Sequence, residues 1–274
     1  MKFGGRHRHF RVTDSTNARA RELVEGGAHG GTVVTAAEQT AGRGRQGRTW
    51  TAPPGKALLY SAILRPLDER HLLLPLSVPL AVCEAAEELQ PGLECRIKWP
   101  NDVWVDGRKL AGVLIEAKPQ DGWAVIGVGL NLSIARDEFP PDLRDTAISL
   151  FDRSAESRGE VSSGASRSGP GMVAPAAKRH RISPPQAVMG TRRDLPSTPL
   201  TAARALNGQL ALWVDAPREQ VLAAWRSRDA LLGREIAWDG GAGVADGIED
   251  SGDLVVVAGG DRVVLGAGEV HLRL

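Results

Sequence analysis

Arg96 to Glu116 reads RIKWPNDVWVDGRKLAGVLIE, and the fold turns on this stretch. Asp106-Gly107 stands between two β-rich runs, Val103 to Val105 and Arg108 to Glu116. An Asp-Gly pair in that setting is a strong hairpin signal, because both central residues of the favoured tight turn need φ > 0. On the N-terminal side, Leu93 to Ile97 is a strand that enters Lys98-Trp99-Pro100-Asn101-Asp102. On the C-terminal side, Trp123 to Leu132 (WAVIGVGLNL) is a further strand, with glycines where something can approach the backbone closely. Strands that arrive by hairpins build an antiparallel sheet.

Working outward, His9 to Val12 is a short strand. Asp14-Ser15-Thr16-Asn17 precedes a helix over Ala18 to Glu25, and several of those polar residues are good N-caps. They also place hydroxyl and amide groups at a helix N-terminus, where a polar ligand can meet them. Gly31 to Ala37 and Lys56 to Leu64 are strands, the second ended by Pro66. Leu72 to Leu89 is apolar and helical at least from Ala81, with Pro75 and Pro79 starting or kinking it. Leu200 to Trp225 has helix-like spacing broken near Asp215 to Pro217, which gives two helices. The sum is an α+β fold: a mixed, largely antiparallel sheet with helices packed on it.

Two segments differ. From Arg153 to Thr198, Ser, Gly, Arg and Pro dominate and periodicity vanishes, so a disordered insert is expected over 153–198. Its basic run, Lys178 to Arg181, reads as a solvated tail. From Leu231 onward, short alternating strands separated by Gly and Asp turns predict a small antiparallel β-barrel. The expected division is thus 1–230 and 231–274.

Composition narrows the function classes. In 274 residues, 42% are apolar and 24% charged, as in ordinary soluble domains. A formal net charge of +1 and 4% aromatic residues argue against a nucleic-acid-binding module. Cys83 and Cys95 are too far apart for a CxxC pair and read as buried free thiols. The polar, basic start of the chain has no apolar core of a signal peptide, and Leu72 to Val82 is too short to span a bilayer. A reducing cytoplasm is the expected location.

The chemistry starts at Ala41 to Trp50, AGRGRQGRTW. Gly42, Gly44 and Gly47 free the backbone, while Arg43, Arg45 and Arg48 offer planar forks for phosphate or carboxylate. Alone, such a cluster is most often a solvated turn. Gln39, at the end of the preceding strand, either caps that strand or reaches a ligand. Lys98, Lys109, Asn101-Asp102 and Gly127-Val128-Gly129-Leu130-Asn131 each also have an ordinary structural reading. Asn101-Asp102 suits Mg2+ as well, which takes oxygen ligands and needs few protein carboxylates when phosphates are present.

Taken together and in this order, GRGRQGRTW, KWPND, RKLAG and GVGLN closely resemble biotin protein ligases, over about Phe10 to Leu150 and Leu200 to Leu274. The resemblance implies a class II synthetase-like catalytic domain. It implies a two-step reaction in which biotin and MgATP give biotinyl-5'-adenylate and pyrophosphate, and a lysine of a biotin carboxyl carrier protein then takes the biotinyl group. By motif, it assigns Ser15, Thr16, Asn17 and Gln39 to the ureido ring and its surroundings. Arg43, Gly44 and Arg45 fall where the family clamps the carboxyl end of biotin and the adenylate phosphate. Lys109 matches the lysine at the reacting carboxylate and phosphate, and with Arg45 it is the first choice for catalysis. Gly112, Gly127 and Gly129 would line the biotin slot. Gly42, Trp50, Lys98, Asn101, Asp102 and Asn131 fall on the ATP side, with Trp50 near the adenine, Asp102 as metal ligand and Arg273 toward ATP.

There are two departures from the family pattern. Some members carry an N-terminal helix-turn-helix and repress genes, whereas here only Met1 to about Arg8 precede the catalytic motifs, so DNA binding is not expected. The insert at 153–198 replaces a short connection. The resemblance allows a homodimer and implies no membrane. The nearest rival is a lipoate or octanoyl ligase of similar fold, which the GRGRxGRxW loop disfavours.

Overall fold

The Asp106-Gly107 turn forms with φ of 50° and 74°, left-handed at both positions as a tight hairpin requires. It joins β5 (Asp102–Val105) to β6 (Arg108–Lys118) in a computed structural model that describes residues 1–151, 198–266, 268 and 270–272. The expected insert at 153–198 lies outside the described residues except for Thr198.

Five more strands complete the sheet: β1 (Arg6–Thr13), β2 (Thr32–Gln39), β3 (Ala57–Leu64), β4 (Arg96–Lys98) and β7 (Trp123–Asn131). Their order is β1-β2-β3-β7-β6-β5-β4. Every neighbouring pair is antiparallel except β1 and β2, which run parallel across α1 (Thr16–Glu25). The sheet is therefore mixed and largely antiparallel, as the sequence indicates.

Side chains alternate between the two faces with period two. Leu58, Tyr60, Ala62 and Leu64 of β3, with Ile126, Val128 and Leu130 of β7, belong to the main core. That core includes residues of α2 (Leu74–Leu89), α3 (Pro199–Trp213) and α4 (Arg218–Ser227). Each fully buried Leu or Ile there contributes roughly 1.5–3 kcal/mol. Pro75 lies in the first turn of α2, where its missing N–H costs nothing, and the helix continues through Pro79. On the opposite face, Ala20 and Val24 of α1 cover Val34, Ile63 and Val125. Further along the same face, β6 and β7 present Gly112, Gly127 and Gly129.

The C-terminal strands are β8 (Glu235–Trp238), β9 (Gly241–Ile248), β10 (Leu254–Ala258), β11 (Asp261–Leu265) and β12 (Val270–Leu272). They form an antiparallel sheet in the order β11-β10-β9-β8-β12. The expected small β-barrel is seen as an antiparallel sheet of short strands, and among the described residues no pairing joins β11 to β12. Alternation and turn residues specify a meander of short strands but do not encode whether its ends meet. The main core continues into this sheet through Ile236, Ala245, Leu254, Val256 and Val270. Cys83 and Cys95 are free and buried, as expected. Among the described residues, no helix is long and apolar enough to cross a membrane.

Candidate active site

The site begins at the N-terminus of α1. Ser15 holds the N-cap position, yet its side chain makes no capping bond, so the simple cap reading is not realised. The Ser15 backbone N–H donates instead to Asp14 Oδ1 at 2.6 Å, and Arg19 reaches Oδ2 at 2.9 Å. These contacts, the backbone N–H first, hold the Asp14 carboxyl below the usual carboxylate range. Thr16 and Asn17 are buried, and buried polar groups need partners. Gln39 Oε1 accepts from the Thr16 backbone N–H at 2.6 Å and lies 3.0 Å from Thr16 Oγ1. Ser61 Oγ, fully buried on β3, lies 2.8 Å from Thr16 Oγ1 and 2.6 Å from Asn17 Oδ1. Four oxygens thus stand in a row with three short O···O contacts, and the two hydroxyls bring only two protons to those three contacts. The row is short of donors.

The floor is made by the glycines. A Cβ on Gly127 would sit 2.2 Å from Asn17 Oδ1, and one on Gly129 would sit 2.3 Å from Trp50 Cε2. One on Gly112 would meet Trp50 and the Lys109 ammonium at 3.2 Å. The sequence singles out these positions for close approach. The groups that approach are the Asn17 and Trp50 side chains, packed directly on bare backbone. Trp50 therefore lies over β6 and β7, and its buried indole N–H has no acceptor among the described residues.

The Arg-Gly loop is folded as a small hairpin. Trp50 N–H donates to the Gly42 carbonyl at 3.0 Å, Gly44 N–H donates to the Arg48 carbonyl at 2.7 Å, and Arg43 bridges Thr49. At its tip, Gln46 and Gly47 take φ of 52° and 75°. Gly42 is fixed by contact, since a Cβ there would stand 2.3 Å from the Trp50 carbonyl oxygen. Arg43 Nη2 donates to Glu116 Oε2 at 3.1 Å, and Arg45 Nη1 reaches Asn101 Oδ1 at 3.4 Å.

Lys109 stands at the other end. Its backbone is gripped by residues 146–148, with its N–H on the Thr146 carbonyl at 2.7 Å and its carbonyl taking the Ile148 N–H at 3.0 Å. Its ammonium lies 2.7 Å from Asp102 Oδ1 and 5.7 Å from the centre of the Trp50 ring. Asn101 Nδ2 donates to the Val113 carbonyl at 2.8 Å, and Asn131 Nδ2 to the Ile148 carbonyl at 3.1 Å. Both amides thus brace the backbone with their nitrogen. Lys98 Nζ lies 5.1 Å from the centre of the Trp104 ring. Among the described residues no three His, Cys, Asp or Glu side chains cluster as a metal cage. One carboxylate, Asp102, fits Mg2+ held mainly by substrate phosphates.

One cavity of about 390 Å3 gathers these groups. Ser15, Thr16, Asn17, Gln39, Arg43, Gly44, Arg45 and Trp50 line it, with Lys98, Asn101, Asp102, Lys109, Gly112, Gly127, Gly129 and Asn131. Gly42 lines a neighbouring groove on the other side of the hairpin, and Arg273 lies outside the described residues. The motifs did not single out Ser61, Glu116 or His271, the last of which also lines the cavity. Ser61 is the one polar residue inside the apolar run LLYSAIL, and Glu116 shares a face with Gly112 by period-two counting. Both signals were present in the sequence.

Residues 9–132 match the model of the biotin/lipoate A/B protein ligase family. The chain is 38% identical over 150 residues to the bifunctional ligase/repressor BirA of Bacillus spizizenii, a match covering 53% of this chain and 46% of that protein. It thus spans about half the length of that relative. It is 34% identical over 274 residues to the biotin–[acetyl-CoA-carboxylase] ligase of Mycobacterium tuberculosis, covering 95% of this chain and 87% of that one. Among solved structures, the biotin protein ligase of Aquifex aeolicus in complex with biotin and ATP superposes with a TM-score of 0.68 at 25% identity, covering 98% and 99% of the two chains.

Proposed function

The chain belongs to the biotin protein ligase family, and from that premise we propose that it joins biotin to a lysine of a biotin carboxyl carrier protein through biotinyl-5'-adenylate. The reading rests on the polarity of one trough. One end is a row of oxygens short of donors, and the other carries the Lys109 ammonium and the Arg45 guanidinium. The ureido ring of biotin brings two N–H donors and a carboxylate tail, which matches both ends. The dithiolane of lipoate brings no donor, which disfavours the lipoate reading.

The first step joins a biotin carboxylate oxygen to the α-phosphorus of ATP, and the bond to pyrophosphate breaks. Two anions must meet, and Lys109 and Arg45 offset their repulsion and the charge that develops. Asp102 holds the ammonium in place, and Arg43 and Gly44 complete the clamp. Trp50, Lys98, Asn101 and Asn131 border the space left for the nucleotide, and Gly42 and Arg273 belong to that side by motif. Mg2+ held by Asp102 and the phosphates would neutralise phosphate charge. In the second step the carrier amine attacks the biotinyl carbonyl carbon, AMP leaves with the bonding pair, and the amine loses its proton. Ser15, Thr16, Asn17 and Gln39 hold the ring throughout, with Gly112, Gly127 and Gly129 lining the base of the slot beneath the Trp50 and Asn17 side chains. The division into a catalytic part, 1–230, and an appended sheet, 231–274, belongs to the same proposal.

The test is pyrophosphate exchange into ATP with biotin or lipoate as the acid. Biotin-dependent exchange without lipoate-dependent exchange is expected. Exchange with lipoate alone would overturn the reading.

A further inference from the structure

Glu116 closes the RKLAGVLIE run within β6, and the activity proposed above gives it no task. Its carboxylate nevertheless sits where three elements meet. Oε2 accepts from Asn17 Nδ2 of α1 at 2.8 Å and from Arg43 Nη2 of the Arg-Gly hairpin at 3.1 Å. Oε1 lies 3.6 Å from Arg21 Nη1 of α1. The side chain is only 26% exposed, so these contacts are partly withdrawn from water.

Asn17 is the pivot. Its Oδ1 is 2.6 Å from the Ser61 hydroxyl, and its Nδ2 has Glu116 at 2.8 Å and the Leu114 carbonyl at 3.4 Å. An amide flanked by a donor on one side and a carboxylate on the other has one orientation, because a flip would set Oδ1 against Oε2. That orientation directs Oδ1 toward the bare backbone of Gly127, on the floor of the trough. Glu116 therefore fixes which atom of Asn17 faces a ligand. The same oxygen holds Arg43, so the carboxylate ties the hairpin to the amide.

We infer that Glu116 is a positioning residue that orients the Asn17 amide and anchors the Arg-Gly hairpin through Arg43, coupling the two ends of the ligand site. The inference rests on the biotin-ligase reading for its kinetic consequence, and its structural consequence stands apart from that reading. Glu116→Gln retains an acceptor for Asn17 but loses the ion pair to Arg43. Glu116→Ala loses both.

Hydrogen exchange over residues 41–50 in the protein without added ligand reads the anchor. Glu116→Gln and Arg43→Ala should each speed exchange by about threefold, the worth of a partly exposed ion pair. The double variant should be no faster than the faster single. Adenylation kinetics read the amide. Glu116→Ala should raise KM for biotin by about tenfold or more with kcat within about threefold, and Glu116→Gln should recover most of the loss. Unchanged loop exchange, or additive effects in the double variant, would overturn the anchor. An unchanged KM in Glu116→Ala, or no recovery with Gln, would overturn the orienting role. If the wild-type chain showed no biotin-dependent turnover, the function proposed above would fail, and the exchange measurements would still decide the anchor.

Discussion

At the scale of single residues, the site is set by what is missing as much as by what is present. Gly129 lacks the Cβ that would stand 2.3 Å from the Trp50 ring. Gly129→Ala must push the indole off the floor, and overpacking of this kind costs about 1–3 kcal/mol. The expected outcome is a protein that still melts cooperatively at a lower temperature and binds biotin at least about tenfold more weakly, measured by calorimetry on the same sample. Unaltered affinity would show that the indole does not shape the slot. Lys109 makes the opposite case, a charge held at 2.7 Å by Asp102 with its backbone gripped on both sides. Lys109→Ala should fold and lose adenylation by about 100-fold or more, the usual effect of removing one preorganised charge-stabilising donor. Near-normal pyrophosphate release from that variant would remove Lys109 from the reaction. The sequence shows both residues through their motifs. It does not show that the neighbours of the glycines are Asn17 and Trp50, because those contacts join residues about 60 to 110 positions apart.

At the scale of elements, the Arg-Gly loop and the start of α1 differ most from a reading of spacing alone. Glycine content suggests a free loop, whereas the segment is a hairpin with a fixed base at Gly42 and Trp50 and a left-handed tip at Gln46 and Gly47. Cross-strand bonds that short are invisible to periodicity. Arg45 reaches Asn101 from this hairpin, and the proposed reaction places its guanidinium beside the reacting groups. Arg45→Gly should release adenylate into solution, seen as free biotinyl-adenylate after a single turnover in the absence of carrier. Full retention would sink the idea that the hairpin guards the intermediate. At the start of α1, Asp14 has a carboxyl held below its usual range by the Ser15 N–H. A depressed folded value means stability that is present above the unfolded value and lost as pH falls through the folded one. Asp14→Ala should therefore lower the melting temperature near pH 7 by no more than about 2 °C, and the difference should vanish well below pH 3.8, the ordinary value for this carboxyl. A constant difference across pH would mean that the charge is not the cause.

At the scale of the whole molecule, the largely antiparallel character of the sheet follows from the hairpin at Asp106-Gly107 and the strand runs on either side of it. That much was legible. The parallel pairing of β1 with β2 was not, since a crossover helix fixes direction only once it packs on the sheet. Nor was the lack of a pairing between β11 and β12 among the described residues, since closure depends on distant strand ends. On the proposed function, the carrier lysine must reach the end of the trough lined by Lys109, Arg45 and Asp102. The most direct test is to incubate the protein with biotin, ATP, Mg2+ and a biotin carboxyl carrier domain and to weigh the carrier by intact mass spectrometry. The account predicts one biotinyl group added to one lysine, absent with lipoate in place of biotin and absent with the Lys109→Ala variant. A carrier that stays unmodified with biotin and ATP left unconsumed, or that accepts lipoate instead, would contradict it.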